Sequence, residues 1–357
     1  MPAKAVAILA ALLLPCLASA ALMTVDCEGG GDYTDLPDAV SAASPGDTIL
    51  VAPCVYEVTE SFFPPGYPIQ LDYESPTIIG TGGAEVTVLQ GDGSVSAFAL
   101  SGEEGNFVDV HGLTIRGVTW PFETPGYVPG GQWYISDCVF EDNDHGIVAG
   151  YGGGEIARNL ISGPSDHGIT FEYYHGVIED NEVAFCGGRG ITGIGTYYAH
   201  DTQILRNHVH DNGTMGICLA MVGTVNANII EDNGGDGLHV GPVSSVTYWN
   251  NVIRRNGKGF VTGGDNAMPS LRHNDIYDND SCDVFVDEWC KAGNLDATDN
   301  WWGTTDPSLI AEHIHDGNDD PLIDTFVIFD PWCEAPGCDP PTPGGRTSWG
   351  SIKALYR

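Results

Sequence analysis

Apolar and polar residues alternate in short runs that recur about every 22 residues between Cys138 and Val286. Runs such as Ile169-Thr170-Phe171 and Ile217-Cys218-Leu219 place a polar or small residue between two apolar ones. Alternation with a period of two over so few residues indicates short strands with one buried face. A helical repeat would need apolar residues at a spacing of about 3.6, and the repeat shows no such spacing. Each repeat is therefore predicted to be one coil of a parallel β-helix.

Three columns of recurring residue types within the repeat support this prediction. Successive copies of the first column start 21, 22, 26, 21, 23 and 23 residues apart, which is typical of solenoids. Asparagine tolerates a left-handed backbone and can bond to the same amide one coil away, and glycine suits a tight corner. The first column holds Cys138, Asn159, Asn181, Asn207, Asn228, Asn251 and Asn274, the second Asn143, Pro164, Cys186, Asn212, Asn233, Asn256 and Asn279, and the third Gly146, Gly168, Gly190, Gly216, Gly237 and Gly259.

With its Asn and Gly corners, the pattern resembles the right-handed parallel β-helix of the pectin-lyase-like superfamily over roughly residues 24 to 333. The resemblance implies an all-β, right-handed parallel β-helix solenoid with an N-terminal capping helix. The phrase from Gly31 to Tyr56 is also similar to the start of pectin methylesterases, but their active-site motifs are not found. The Asn-Thr-Asp and Gly-His-Gly motifs of polygalacturonases are not found either, so the resemblance predicts the fold and leaves the activity open.

The chain divides into five segments. Residues 1–20 have one lysine, an apolar run and the small-residue site Ala18-Ser19-Ala20, which predicts a secretory signal peptide cleaved before Ala21. A lipoprotein site at Cys16 is the competing interpretation, which Pro15 fits poorly. Residues 21–60 are predicted to form a cap and first coil, with a helix over 32–43, and residues 61–333 the β-helix with loop excursions and a tryptophan plug. Residues 334–345 are a Pro/Gly linker and residues 346–357 a basic, aromatic tail, interpreted as either a sorting tag or a disordered end.

Charge and cysteine content fit an exported protein. The net charge is −36, from 13 Lys and Arg against 49 Asp and Glu, and loss of Lys4 with the signal peptide makes it about −37. So acidic a surface repels nucleic acid and anionic membranes, although solubility alone would also explain it. An oxidising compartment favours disulfides, and the predicted pairs are Cys27–Cys54, Cys282–Cys290 and Cys333–Cys338. No second stretch is apolar enough to span a membrane, and we expect a monomer.

The predicted catalytic residues stand directly before the repeat glycines. Equal positions in neighbouring coils lie about 4.8 Å apart, so Asp144-His145 is expected to stack on Asp166-His167, with Arg189 one coil further. Two carboxylates at this spacing would separate their pKa values into one acid and one base, as in a retaining glycosidase. Arg189 is suited to a substrate carboxylate. The alternative is that both aspartates accept backbone N–H bonds at a corner and the histidines are ordinary surface residues.

Aromatic clusters beside this column predict substrate binding, because tyrosine rings stack on sugars. The predicted binding residues are Tyr151, Glu172, Tyr173, Tyr174, His175, Tyr197, Tyr198 and His200. Asp278, Asp280 and Asp283 crowd one coil and predict a calcium site, with a solvated acidic corner as the alternative. Calcium is the one cofactor that the sequence suggests.

Two functions remain open at this point. The first is a secreted β-helix that binds, and as a lyase, hydrolase or epimerase processes, a polysaccharide or surface glycan. In β-helix lyases, a basic residue removes the proton beside a uronate carboxylate, often with calcium neutralising the acid. The second is a non-catalytic cell-surface or adhesion solenoid whose columns are purely structural.

Overall fold

Parallel strands wound into a solenoid make up almost the whole structure. This computed structural model describes residues 20–59, 69–71, 75–100, 107–123, 131–150, 152–195, 201–220, 222–241, 245–264, 269–290 and 293–337. All the pairs between its strands are parallel, and each strand pairs with its counterpart one coil away. The predicted solenoid is therefore confirmed.

Short strands follow one another along the chain, and a short helix lies near each end. The first coils contain β1 (Leu22–Val25), α1 (Leu36–Ala42), β2 (Thr48–Val51), β3 (Cys54–Glu57), β4 (Ile69–Leu71), β5 (Thr77–Gly80), β6 (Thr87–Gln90), β7 (Phe98–Leu100), β8 (Phe107–His111), β9 (Thr114–Arg116) and β10 (Phe122–Glu123). The central coils contain β11 (Gly131–Ser136), β12 (Val139–Glu141), β13 (Ile147–Ala149), β14 (Gly152–Ala157), β15 (Leu160–Ser162), β16 (Ile169–Glu172), β17 (Val177–Glu179), β18 (Glu182–Ala184), β19 (Ile191–Ile194), β20 (Thr202–Leu205), β21 (His208–His210) and β22 (Ile217–Ala220). The last coils contain β23 (Val222–Asn226), β24 (Ile229–Glu231), β25 (Asp236–Val240), β26 (Ser245–Trp249), β27 (Val252–Arg254), β28 (Lys258–Thr262), β29 (Ser270–Arg272), β30 (Asp275–Tyr277), β31 (Val284–Val286), β32 (Leu295–Asp296), α2 (Pro307–Glu312), β33 (Ile314–His315) and β34 (Val327–Ile328).

Three long sheets form the walls of the solenoid. The first has 13 strands from β1 to β34, the second has ten from β3 to β30, and the third has eight in the order β13-β16-β19-β22-β25-β28-β31-β33. A three-stranded sheet, β10-β7-β4, forms a further wall in the early coils. The inward side chains stack in register, as in Ile147, Ile169, Ile191 and Ile217, all fully buried. One continuous apolar core therefore runs along the axis.

Buried asparagines join the coils along the first predicted column. The backbone N–H of each column residue from Cys138 to Asn274 donates to the Oδ1 atom of the column residue one coil on, and the last acceptor is Asn300. The side-chain amide of each asparagine from Asn159 to Asn274 donates to the same atom, and all these bonds are 2.7–3.2 Å long. A second ladder runs from Cys186 through Asn212, Asn233 and Asn256 to Asn279. The predicted amide stacking is confirmed.

The left-handed corner residue differs from the prediction. The asparagines do not have a positive φ; the residue before each of them does, as in Arg158 (57°), Asp180 (54°) and Arg206 (55°). This corner conformation turns the asparagine side chain inward. There its amide hydrogen-bonds to backbone groups that the corner leaves without a partner in the neighbouring strand. The glycine column also serves a different purpose. Gly146 has no positive φ, but a Cβ atom there would lie 1.8 Å from the Gly168 carbonyl oxygen, so glycine permits the close approach of two coils.

Both ends of the solenoid are closed. At the N-terminal end, α1 begins after Asp35, whose carboxylate accepts the Asp38 N–H at 2.9 Å, and it buries Leu36 and Ala39. At the C-terminal end, Trp302 is buried in the core and Ile310 of α2 packs over it. The capping helix is thus confirmed, and the buried Trp302 and the short helix α2 lie at the end where the tryptophan plug was predicted.

One disulfide prediction was wrong. Cys27 and Cys54 are bonded as predicted, whereas Cys282 and Cys290 are buried and are not joined to each other. The three residues of the extended strand β31 lie between these two cysteines. At about 3.3 Å per residue they span roughly 10 Å, more than the roughly 4.4–6.8 Å between Cα atoms that a disulfide bridges. Cys333 is disulfide-bonded, and its predicted partner Cys338 lies outside the described residues.

Asp283 ends the second ladder in a position where an asparagine would fit. Its carboxylate is 3% exposed and accepts the Asn279 amide at 2.8 Å. Burial raises its pKa from 3.8 to about 6, opposed by the Asn279 bonds and by His313. Because the pKa of Asp283 is higher in the folded protein, the native state binds this proton more tightly than the unfolded chain does. Deprotonation of the buried carboxyl group therefore lowers the free energy of unfolding as the pH rises from about 4 to about 6.

We therefore expect Asp283→Asn to stabilise the protein above pH 6 and not at pH 4. The shift corresponds to at most roughly 3 kcal/mol, and the new amide oxygen still accepts from Asn279. Urea unfolding midpoints at pH 7.5 and pH 4 measure this difference. An equal change at both pH values would contradict the expectation.

Candidate functional site

The outward face of the eight-stranded sheet carries the predicted catalytic column. The corners that precede β13, β16 and β19 present Asp144-His145, Asp166-His167 and Arg189. Asp166 N–H donates to the Asp144 carbonyl at 3.0 Å, and Gly168 N–H donates to the Arg189 carbonyl at 3.0 Å. The predicted stacking of these positions is confirmed.

His145 lies between an aromatic ring and a carboxylate. The Trp120 indole stacks on its imidazole with ring centroids 3.5 Å apart and an interplanar angle of 13°. Its Nδ1 atom lies 3.1 Å from Asp166 Oδ2. A carboxylate beside Nδ1 favours the proton on that nitrogen and leaves a lone pair on Nε2. In this tautomer, His145 can accept a proton at Nε2.

His167 has the opposite arrangement. Its Nδ1 atom accepts the Arg189 backbone N–H at 3.1 Å, and Asp166 Oδ1 also lies 3.2 Å away. In the neutral ring, a nitrogen that accepts an N–H bond carries no proton, so this Nδ1 atom makes no hydrogen bond to Asp166 and the ring proton lies on Nε2. Burial lowers the pKa of His167, and Arg189 and His145 lower it further against Asp166. A neutral His167 presents an Nε2–H donor.

Gly188 makes room for this ring. A Cβ atom at Gly188 would lie 2.3 Å from Nδ1 of His167. Gly188 has no positive φ, so its backbone conformation does not require glycine. Glycine is needed here because the imidazole of the neighbouring coil occupies the space that a side chain would take. The two histidines are therefore held by Trp120, Asp166, Gly188 and the Arg189 backbone.

Arg189 differs from the other arginines that the structure describes. Its guanidinium donates to the Thr192 hydroxyl at 3.3 Å and makes no ion pair with a described carboxylate. Lys258, three coils further along the same column, lies 3.8 Å over the Phe285 ring and is likewise without an ion pair among the described residues. The other six described arginines contact carboxylates: Arg116, Arg158, Arg206, Arg254, Arg255 and Arg272.

Two cations without an ion pair among the described residues are notable in a chain with a net charge of −36. Coils repeat at about 4.8 Å, so Arg189 and Lys258 stand roughly 14 Å apart along the axis. Both are half-buried on one face. The arrangement can bind an elongated anion and move a proton between two imidazoles.

Asp144 and the tyrosine cluster depart from the prediction. Asp144 is exposed, and its Oδ1 atom lies 3.5 Å from the Ser165 hydroxyl. Tyr174 is 1% exposed and packs on Phe171 in the core, so its predicted role in substrate binding was wrong. It points inward because the chain turns from the third sheet back to the first at this residue. Glu172 and His175 are exposed near the same corner, and Tyr173 is half-buried there. Tyr151, Tyr197, Tyr198 and His200 lie outside the described residues.

The structure does not bring the predicted calcium ligands together. Asp278 and Asp280 are exposed, whereas Asp283 is buried and bonded to Asn279. In the described part of the chain, no group of three His, Cys, Asp or Glu side chains could hold a metal ion. Asp278 and Asp280 are therefore exposed corner residues, and Asp283 is the last member of the second ladder. Calcium binding at another place in the chain stays a prediction.

Sequence reasoning missed Trp120 and Thr192. Trp120 lies between β9 and β10, where the backbone continues the column: the Thr119 carbonyl accepts the His145 N–H at 3.1 Å. Extending the column by one coil toward the N-terminus would have found it. Thr192 is the second residue of β19, three residues after Arg189, and is buried.

Cys218 and His239, which face outward in neighbouring strands, do not form a nucleophilic pair. His239 Nδ1 is bonded to Asp236 at 2.8 Å. Burial raises the pKa of the Cys218 thiol, so it stays protonated at neutral pH. A thiol in that state is a poor nucleophile.

Comparison with known proteins gives the same architecture. The family model described as "Right handed beta helix region" matches residues 127–220 and 192–301. No curated protein matches the chain. No helix among the described residues is long and apolar enough to cross a membrane.

Solved structures extend the likeness over most of the chain. The mannuronan C-5 epimerase AlgE4 A-module of Azotobacter vinelandii is 16% identical with a TM-score of 0.59, over 84% of this chain and 93% of that one. The AlgE6 A-module of the same organism is 18% identical with a TM-score of 0.57 over the same shares. The Agl-KA catalytic domain is 10% identical with a TM-score of 0.54, over 82% of this chain and 64% of that one. At these identities, the likeness is one of fold.

Proposed function

We propose that this chain, a right-handed parallel β-helix, is exported and processes an acidic polysaccharide. The observation that carries the proposal is Arg189, which makes no ion pair with a described carboxylate, contacts His167 and lies in the same column as His145 in a strongly acidic chain. Its planar fork matches the geometry of a carboxylate. Two of the proteins that share the fold are mannuronan C-5 epimerase modules, and a uronan is the substrate class that this site fits.

The tautomers favour proton transfer at the carbon next to the sugar carboxylate. His145 Nε2 takes that proton, and Arg189 stabilises the negative charge that develops on the carboxylate. His167 Nε2–H then gives a proton. If it goes back to the same carbon from the opposite face, the sugar is epimerised; if it goes to the departing glycosidic oxygen, the chain is cleaved with formation of a double bond. In both routes, the proton removed from carbon is matched by a proton delivered to carbon or to the leaving oxygen, so neither an oxidant nor a reductant is needed.

A hydrolase fits the geometry less well. A retaining glycosidase needs two carboxyl groups about 5 Å apart with one free to attack. Asp166 is engaged by His145 Nδ1 at 3.1 Å, and Asp144 is exposed on the solvent side. The imidazole pair therefore supports the lyase or epimerase alternatives over hydrolysis.

A product screen tests the proposal. The chain is incubated with mannuronan and polygalacturonan, with and without calcium, in D2O. A lyase yields products that absorb as unsaturated uronates, an epimerase incorporates deuterium at C5 without shortening the chain, and a hydrolase yields reducing ends alone. Binding without any product would support the non-catalytic adhesion solenoid, and no binding to either polymer would contradict the proposal.

A further inference from the structure

The N-terminal edge of the solenoid contains a carboxylate that accepts hydrogen bonds from two backbone nitrogens, one of them that of Ala21. Asp47 is 6% exposed and lies in the turn between α1 and β2. Its Oδ1 atom accepts the Ala21 N–H at 2.6 Å, and its Oδ2 atom accepts the Ser44 N–H at 2.8 Å. Ala21 immediately precedes β1, the edge strand of the 13-stranded sheet.

Ala21 is also the residue that signal-peptide cleavage would place first. The site Ala18-Ser19-Ala20 precedes it, and both Ala20 and Ala21 are exposed. Hydrolysis of the Ala20–Ala21 bond adds water, giving a carboxylate on Ala20 and an amino group on Ala21 that is protonated at neutral pH. The nitrogen that is an amide in the precursor thus becomes an ammonium in the mature chain.

We infer that Asp47 is a receptor for the new N-terminus: cleavage before Ala21 creates an ion pair between the Ala21 ammonium and the Asp47 carboxylate that fastens β1 to the start of β2. The inference rests on the predicted cleavage and is independent of the polysaccharide site. In the precursor, the same contact joins the Asp47 carboxylate to a neutral amide N–H, and cleavage adds a positive charge on the donor nitrogen, which turns this hydrogen bond into an ion pair. Maturation therefore strengthens the cap of the solenoid.

The surroundings suit an ammonium. The pKa of Asp47 is lowered first by the Ala21 N–H and then by the Ser44 N–H, against its burial, and no charged side chain contributes among the described residues. Thr48 N–H donates to the Ala21 carbonyl at 2.9 Å, which fixes the backbone on the other side of the nitrogen. Within the described ranges, therefore, no second cation competes for the carboxylate.

The pH dependence follows from the sign of the shift. A carboxylate partner raises the pKa of the Ala21 amino group above its ordinary value of about 7.7–8.0. Its stabilisation is complete below that ordinary value and is lost as the pH rises through the raised folded value. The ion pair should therefore act at pH 7 and be largely absent at pH 10.5.

The test uses the full chain exported from a host cell, together with a variant carrying one glycine inserted between Ala20 and Ala21. The insertion moves the ammonium one residue away and leaves the Ala21 N–H as an amide. Intact mass should show a wild-type chain that begins at Ala21. The insertion should lower the melting temperature by roughly 2–4 °C at pH 7 and have no effect at pH 10.5.

Asp47→Asn in both backgrounds completes the cycle. The substitution should cost more in the chain that begins at Ala21 than in the chain with the inserted glycine, since only the former loses an ion pair. If Asp47→Asn prevents folding, the insertion alone still decides the matter. A wild-type chain that begins elsewhere, or an insertion whose effect is the same at both pH values, overturns the inference, and neither result depends on polysaccharide binding.

Discussion

Replacing Asn228 by alanine is expected to destabilise the protein by about 3–5 kcal/mol. Asn228 is fully buried, and its side chain accepts from the backbone and the amide of Asn207. It also donates to the Ile204 carbonyl and to Asn251. Alanine leaves these partners unsatisfied in the interior, where each unsatisfied group costs about 1–3 kcal/mol. Urea unfolding measures the loss.

Asn226→Ala is the matched control for this prediction. Asn226 lies two residues earlier in the same coil, is half-buried, and accepts a single side-chain bond from Asn250 at 3.2 Å. Its replacement should cost less than about 1 kcal/mol. Similar losses for Asn226 and Asn228 would mean that the ladder does not stabilise the stack.

Replacing Arg189 by alanine is expected to weaken binding of an acidic oligosaccharide by about 10–100-fold. A hydrogen-bonded ion pair with a sugar carboxylate is worth about 1.5–3 kcal/mol, and about 1.4 kcal/mol is a factor of ten in Kd. Arg189→Lys should recover part of the loss, because it keeps the charge and lacks the planar fork. Calorimetric titration with uronic-acid oligosaccharides measures the dissociation constants.

Arg158→Ala controls for net charge in that experiment. It removes the same charge, but Arg158 lies at the corner after the first sheet, where it pairs with Asp137 at 3.0 Å. The Kd of this variant should stay within a factor of about two of the wild type, since exposed charges interact weakly at physiological salt. Equal losses for Arg158→Ala and Arg189→Ala would contradict a local carboxylate site and indicate a general effect of charge.

The stacking of the coils could be predicted from the sequence because it depends on spacing alone. Asn159, Asn181 and Asn207 recur at 22 and 26 residues, and intervals of 22 residues place His145, His167 and Arg189 in one column. Hydrophobic alternation then decides which side chains are buried. Position within the solenoid was therefore encoded locally, repeat by repeat.

The partners of each side chain could not be predicted in this way. Asp166 lies close to both histidines, and the His167 tautomer depends on a backbone N–H one coil away. Tyr174 enters the core because of the corner that follows β16, for which the repeat gives no template. Such features depend on side-chain rotamers and on the backbone geometry of the corners, and the spacing of residues along the sequence determines neither.

A crystal structure of the protein with a uronic-acid tetrasaccharide tests the central claim most directly. We predict that the sugar lies on the outward face of the eight-stranded sheet, with a carboxylate in hydrogen-bond contact with the Arg189 guanidinium and its C5 atom near His145 Nε2. A saccharide bound on another wall of the solenoid, with the Arg189 face unoccupied, would contradict the claim.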